Sequence, residues 1–240
     1  MGGDASSGAG REPPPRAVLL DALGTLVELD APVARLVAAL GDRGIAVTPD
    51  EAASALRAEI AYYRAHHDAA RDEPALEDLR DRCAAVFGAA LPPAGATADP
   101  RVVRDALLAG LRFRAFDEVP GVLVALRAAG ARLVVVSNWD VSLHGVLRDT
   151  GLDGLVDAVL TSAEEGVAKP DPELFRRALA VVGGVAPRDA LHVGDDLEAD
   201  VGGARAAGIP AVLVDRDGAF AAPAGVRVAR TLAELLPGAR

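Results

Sequence analysis

Four short polar clusters hold most of the groups in this chain that could do chemistry. Each closes an apolar run or opens a helix. Asp21 follows Ala17–Leu20, with Gly24 and Thr25 just beyond it. Ser137 and Asn138 follow Leu133–Val136. Lys169 stands directly before Pro170-Asp171-Pro172. Gly194, Asp195 and Asp196 follow Ala190–Val193, and Asp200 lies four residues further on. A carboxylate such as Asp21 is ionised at neutral pH unless burial raises its pKa. As a nucleophile it splits one difficult displacement into two easier steps through a covalent intermediate. If the target is a phosphate, anion meets anion, and positive charge is needed between them. Lys169 can supply part of it. It is the one lysine among 25 Lys and Arg residues. A compact ammonium and a guanidinium fork are not interchangeable at such a site.

These residues need a scaffold that brings distant segments together. Ala17–Leu20, Leu133–Val136, Ala190–Val193 and Ile209–Val214 have the length of buried strands, and Leu155–Leu160 is a weaker fifth. Helical patterns separate them. One follows Pro120 and stops at Gly130, one starts at the cap Asp171-Pro172, and one ends at Gly208. Such alternation predicts an α/β, Rossmann-like three-layer core with a parallel sheet covered on both faces. Ligands of these sheets bind beyond the carboxyl ends of the strands, where the polar clusters fall.

Residues 32–115 read differently, with no convincing strand. Thr48 and Glu51 form a capping-box pattern around Pro49. Leu56 and Ile60 continue that helix face, and Leu76, Leu79, Cys83, Val86 and Phe87 follow helical spacing. We expect a small α-helical domain inserted into a core made of residues 16–31 and 116–240, hinged near 28–31 and 113–118. Tyr62, Tyr63, Arg64, His66, His67 and Arg71 are its richest polar cluster. They would either line a pocket from above or divide between core edge and solvent. Cys83 reads as a buried thiol.

Bulk properties narrow the function. A net charge of −10 argues against nucleic acid, which needs clustered cations. No apolar run approaches the roughly 20 residues of a membrane span. Residues 1–15 are rich in Gly, Ser and Pro, lack the apolar segment of a secretory signal, and are expected to be a disordered tail. A single cysteine excludes an intrachain disulfide. The expectation is a cytoplasmic protein acting on a small molecule.

The four clusters, LLDALGTL, VVVSNWD, VAKPDPELF and HVGDDLEAD, stand in the order of the four motifs of the haloacid dehalogenase-like superfamily. The chain resembles that family over roughly residues 16–30 and 116–215. The insert resembles the helical cap of many members. The resemblance implies a hydrolase with Asp21 as nucleophile, Lys169 as charge partner, and Ser137, with Asn138 and Thr25, at the substrate. It also implies Mg2+ held by Asp21, Asp195 and the main-chain carbonyl of Leu23, with Asp196 or Asp200 behind them. An ion of this kind favours one or two carboxylates plus water.

One position departs from the pattern. Phosphatases of the family usually carry a second aspartate two residues after the nucleophile, to protonate the leaving group and later activate water. Leu23 stands there and transfers no proton. General acid–base help is worth ~10²–10⁴-fold. Asp140 is a candidate replacement. The main expectation is a metal-dependent hydrolase of a small phosphorylated metabolite. A 2-haloacid dehalogenase remains an alternative, since halide needs no proton. Those enzymes usually carry an aromatic residue at the Leu23 position and lack the Gly-Asp of the fourth motif. Phosphonate cleavage would need a cap lysine, and residues 32–115 contain none. A metabolite-binding protein without turnover is the remaining alternative. Trp139 would limit substrate size or simply pack.

Overall fold

The computed structural model describes residues 14–219 and 224–236. Most of the expected tail, residues 1–13, lies outside them. The chain opens with β1 (Ala17–Leu20) and β2 (Val27–Leu29). Five helices follow: α1 (Pro32–Gly41), α2 (Pro49–His66), α3 (Glu73–Ala89), α4 (Pro93–Ala96) and α5 (Pro100–Gly110). Then come β3 (Phe113–Ala115), α6 (Val119–Ala128), β4 (Arg132–Ser137), α7 (Leu143–Asp149) and β5 (Ala158–Thr161). The remainder is α8 (Ser162–Glu165), α9 (Pro172–Val181), β6 (Ala190–Gly194), α10 (Gly203–Ala206), β7 (Ala211–Val214) and β8 (Arg227–Ala229).

Six of these strands form one sheet in the order β5-β4-β1-β6-β7-β8, with every pairing parallel. Because strand side chains alternate between faces, the apolar runs serve two cores at once. Val18, Leu20, Val135 and Val193 face one layer with Val122, Leu123 and Leu126 of α6. Leu19, Val134 and Val136 face the other with Leu174, Phe175 and Leu179 of α9. The expected three layers are present. The strand order reverses at β1, which has β4 on one side and β6 on the other. That switch point is where an open α/β sheet leaves a crevice. It places the residues after β1, β4 and β6 side by side.

The insert is helical as expected. Thr48 and Glu51 close their capping box, Thr48 N donating to Glu51 Oε2 at 2.8 Å and Glu51 N to Thr48 Oγ1 at 3.3 Å. Leu36, Leu56, Leu79, Phe87 and Leu107 build a third apolar cluster in which α2 packs on α3 and α1 on α5. One expectation fails here. Phe113–Ala115 is a strand, pairing antiparallel with β2 through Val27↔Ala115 and Leu29↔Phe113. Three residues are too few to show a period of two, which is why the pattern is silent. The ladder ties together the two chain passages between the core and the helical region.

Smaller differences occur in the core. The expected strand Leu155–Leu160 starts later, at Ala158, after a 3₁₀ turn at Asp153–Leu155. The run Ile209–Val214 forms a strand only from Ala211. The helix ending at Gly208 begins as a π-helical turn, Leu197–Gly202, before α10. β8 has no forerunner in the sequence reading. Among the described residues no helix is long and apolar enough to cross a membrane.

Candidate active site

Asp21 is the first residue past β1, and its main-chain N–H donates to Val193 O of β6 at 2.9 Å. The nucleophile candidate is thus pinned at the middle of the sheet. Its side chain is buried, and Oδ1 accepts from Ser137 Oγ at 3.0 Å and from Lys169 Nζ at 2.6 Å. Among the described residues Oδ2 accepts no hydrogen bond, so one carboxylate oxygen is fixed while the other stays open. Lys169 Nζ also lies 2.6 Å from Asp200 Oδ1. Asp200 is held further by His192 Nε2 at 2.9 Å and by Asp196 N at 3.0 Å. Asp195 completes a cluster in which one ligand oxygen each from Asp21, Asp195 and Asp200 lies within 4.8 Å of the others.

Three carboxylates share one ammonium. Burial pushes Asp21 up, the Asp200 charge adds to that, and Lys169 opposes it. Burial and the charges of Asp21 and Asp200 push Asp195 up to about 7. Burial would lower Lys169, but the two carboxylates outweigh it and hold the ammonium above its ordinary range. Burial would raise Asp200, but Lys169 and His192 hold it well below the carboxylate range. The site therefore pairs Lys169 with Asp200 and leaves the charges of Asp21 and Asp195 only partly compensated, which is why those two carboxyls hold their protons more tightly than usual. Oxygen donors with surplus negative charge suit a hard divalent cation, so the residues present fit one. Asp200 already has both oxygens engaged, which leaves Asp21 and Asp195 as the available pair.

Two glycines permit this crowding. Gly24 has φ +78, and a Cβ there would collide with the Asp195 carboxylate. Gly194 has ordinary backbone, yet a Cβ on it would collide with the Asp200 carboxylate. Here glycine provides close approach as well as turn geometry.

The remaining expected residues divide. Ser137 reaches Asp21 directly. Asn138 lines the cavity, but its amide is engaged by Lys169: its Nδ2 donates to Lys169 O at 2.9 Å and its Oδ1 accepts from Lys169 N at 2.8 Å. Its amide holds the lysine's main chain. Thr25, expected among the substrate-binding groups, is fully buried, and its hydroxyl has no partner among the described residues. Burial removes it from the substrate. Asp196, expected near the metal, caps the following helical turn by accepting from Glu198 N and Ala199 N, each at 2.8 Å. Leu23 is 37% exposed and faces a cavity between the sheet edge and the helical region. Trp139 lines the same cavity but is 6% exposed, packs on Phe113 at 5.2 Å and donates Nε1–H to Ser142 Oγ at 3.2 Å. Packing is the fuller account of it.

The polar cluster of α2 also divides. Tyr63 donates its hydroxyl to Asp140 Oδ2 at 2.8 Å, and both residues line the cavity with Arg64. Asp140 also accepts from Ser142 N at 2.7 Å, so this buried carboxylate is anchored from both sides. Tyr62 stacks on His66 at 4.0 Å. His67 approaches Ser162 Oγ at 3.5 Å, Asp68 accepts from that hydroxyl, and Val141 N donates to Ala70 O at 3.2 Å. The end of α2 is thereby docked on the core.

Two site residues escaped the sequence reading. His192 is fully buried in β6, edge-on to Phe175 at 5.0 Å, and supports Asp200 from below. Its only signal is a polar residue at an inward position of an apolar run. Arg216, after β7, donates to Gly24 O at 3.0 Å and Thr25 O at 2.7 Å, pairs with Glu118 at 2.8 Å, and lies 3.4 Å over the Phe116 ring. It clamps the loop after Asp21 to the second chain passage between the core and the helical region.

Glu59 on α2 is 5% exposed, and burial raises its pKa against a weaker hydrogen bond with Cys83. Cys83 itself is pushed up to about 12, by burial first and then by Glu59. A carboxyl whose folded pKa is raised contributes fully below its unfolded pKa, and that contribution is lost as pH rises through the folded pKa. Glu59→Gln should therefore unfold at higher urea than the parent at pH 7. The gap should close toward pH 4, as seen in equilibrium urea melts at both pH values.

A family model described as haloacid dehalogenase-like hydrolase matches residues 15–208. The phosphoserine phosphatase of Thermus thermophilus is 42% identical over 106 residues, 44% of this chain and 42% of its own length. Human haloacid dehalogenase-like hydrolase domain-containing protein 3 is 40% identical over 102 residues, 42% of this chain and 40% of its own. The matched stretches thus span about two fifths of these curated relatives. Among solved structures, the putative HAD-hydrolase YfnB of Bacillus subtilis bound to magnesium superposes with a TM-score of 0.69. It is 24% identical and covers 92% of this chain and 97% of its own, which is a likeness of fold. With the family model matched across most of its length and the motifs gathered at one sheet edge, the chain belongs to the haloacid dehalogenase-like hydrolases.

Proposed function

We propose that the chain hydrolyses small phosphate monoesters through a phosphoaspartyl intermediate on Asp21. The observation that carries this reading is Lys169 Nζ, shared at 2.6 Å between Asp21 and Asp200 beside the open carboxylate of Asp195. A nucleophile held by one oxygen is oriented before substrate arrives, which is where much of an active site's advantage lies. Asp21 and Asp195, with the carbonyl of Leu23, would hold Mg2+, which neutralises charge between nucleophile and phosphate when bound. Ser137 and Lys169 fix Asp21, Asn138 fixes the main chain of Lys169, and Asp200 with His192 fixes its ammonium. Residues 16–31 and 116–240 form the core in this reading, and 32–115 form a cap over the cavity with the β2–β3 ladder as hinge. The cap excludes water when docked. The setting is cytoplasmic, and the substrate is a small molecule rather than nucleic acid or a membrane.

The phosphatase name of the Thermus thermophilus relative supports the reaction class, as does a cluster rich in oxygen donors. A screen of phosphate esters and 2-haloacids, with and without chelator, tests it. Phosphate release that EDTA abolishes and Mg2+ restores is the expected result. Metal-independent halide release from 2-chloropropionate, with no turnover of any phosphate ester, would replace the phosphatase by a dehalogenase.

A further inference from the structure

The cavity beside Leu23 has a volume of about 810 Å³. Much of its wall is apolar: Leu23, Ile60, Leu79, Leu108, Phe113 and Trp139 contribute from both the sheet edge and the cap. Several of its polar groups are already paired with one another. Tyr63 is bonded to Asp140, Asp140 also to Ser142 N, and Glu59 to Cys83. Arg64, Arg112 and Asp149 also line it and offer charged partners, but hydroxyls set against the apolar wall would surrender their water unpaired, and that is costly. An apolar body, above all a planar one, would bury surface against Leu, Ile, Phe and Trp side chains and gain by it.

Leu23 adds a second and independent constraint. It is exposed to this cavity, and it stands where the family resemblance implies a proton-donating aspartate, with no proton to give. Asp140, the candidate replacement, accepts from Tyr63 and from Ser142 N with its two oxygens and has no proton to give, so the leaving oxygen departs as an anion. For an alcohol that anion is very basic, with a conjugate acid comparable to water at ~15.7. For a phenol it is far less so, as the tyrosine side chain at ~10 shows. Wall and missing acid select the same chemistry.

We propose that the substrates of this chain are aryl phosphate monoesters, or esters with a similarly stabilised oxyanion on an apolar body, rather than sugar or amino-acid phosphates. The proposal rests on the phosphatase reading above. A carboxylate oxygen of Asp21 bonds to phosphorus as the phosphorus–aryl oxygen bond breaks. The phenoxide leaves with that electron pair and takes its proton from solvent. Water then adds to phosphorus, the aspartyl oxygen–phosphorus bond breaks, and Asp21 returns with inorganic phosphate released. Net, aryl phosphate and water give phenol and phosphate. The second step also lacks a proton acceptor at position 23, so it is slow, and the intermediate accumulates.

The test uses the full chain with Mg2+ and a series of para-substituted phenyl phosphates, alongside cyclohexyl phosphate and O-phosphoserine. We expect kcat/KM to rise steeply with leaving-group acidity. Phenyl phosphate should exceed cyclohexyl phosphate by at least ~100-fold, the lower range of a missing general acid. Phenol should appear in an initial burst stoichiometric with enzyme. Leu23→Asp should narrow the phenyl-to-cyclohexyl ratio at least ~10-fold, mainly by accelerating the cyclohexyl ester. Leu108→Asn, at a half-buried wall position, should raise KM for the phenyl esters with a smaller change in kcat. Metal-dependent turnover in which cyclohexyl phosphate or phosphoserine matches phenyl phosphate would overturn this substrate class and leave the phosphatase reading standing. No turnover of any phosphate ester would overturn both.

Discussion

Asp21→Asn should cut turnover on the order of 10⁴-fold or more, the scale on which removal of a covalent nucleophile is felt. An amide oxygen is too weak a nucleophile to attack phosphorus. The variant should nevertheless fold, and its melting temperature should equal or exceed that of the parent. Lys169 keeps Asp200 as its partner. The substituted amide still offers an acceptor to Ser137, and one of three crowded carboxylates has lost its charge. Such sites hold charge arrangements that favour function over stability. Steady-state kinetics beside a thermal melt reads both effects. Full activity would place the nucleophile elsewhere.

Lys169→Met should be the opposite kind of variant, inactive and badly destabilised. The lysine side chain is 2% exposed, and its ammonium faces Asp21 and Asp200 at 2.6 Å each. Removing one partner of a buried ion pair leaves an uncompensated charge and typically costs about 3–5 kcal/mol. Here two carboxylates lose their cation together, although His192 still supports Asp200. Urea denaturation should show stability falling by that amount, and turnover should vanish with it. Lys169→Arg keeps the charge but should also lose most activity. A planar fork cannot fit where a single nitrogen meets both carboxylates, in a pocket closed around it. An arginine variant with parental kinetics would mean that charge alone, without this geometry, is what the site needs.

Much of the fold was legible because its elements carry their own local chemistry. Asp21, Ser137 and Gly194 fall at the ends of strands that are buried on both faces and read as unbroken apolar runs. Thr48 with Glu51, and Asp171 with Pro172, mark helix starts because the capping groups are neighbours in sequence. What stayed hidden depends on distance or on a choice between equivalents. Arg216 and Gly24 are separated by 192 residues, and no local pattern joins them. Asp196 and Asp200 are alike by type. The π-helical turn between them and the free N–H groups of Glu198 and Ala199 decide that one caps and the other meets Lys169. Asn138 and Thr25 sit in the right motifs, but the motif does not say whether a side chain turns toward substrate or toward its own scaffold. Leu23 was visible from the outset. The cavity it faces supplies the physical context, since a leucine there is a wall as well as a missing acid.

The central claim is a covalent bond to Asp21, and acid-quenched peptide mass spectrometry tests it most directly. The protein would be mixed with an aryl phosphate and Mg2+, quenched within the first turnover and digested. A phosphoryl group on the peptide spanning residue 21, absent from the Asp21→Asn variant, is the result this account predicts. Turnover with that peptide unmodified, or with the phosphoryl group on another residue, would contradict it.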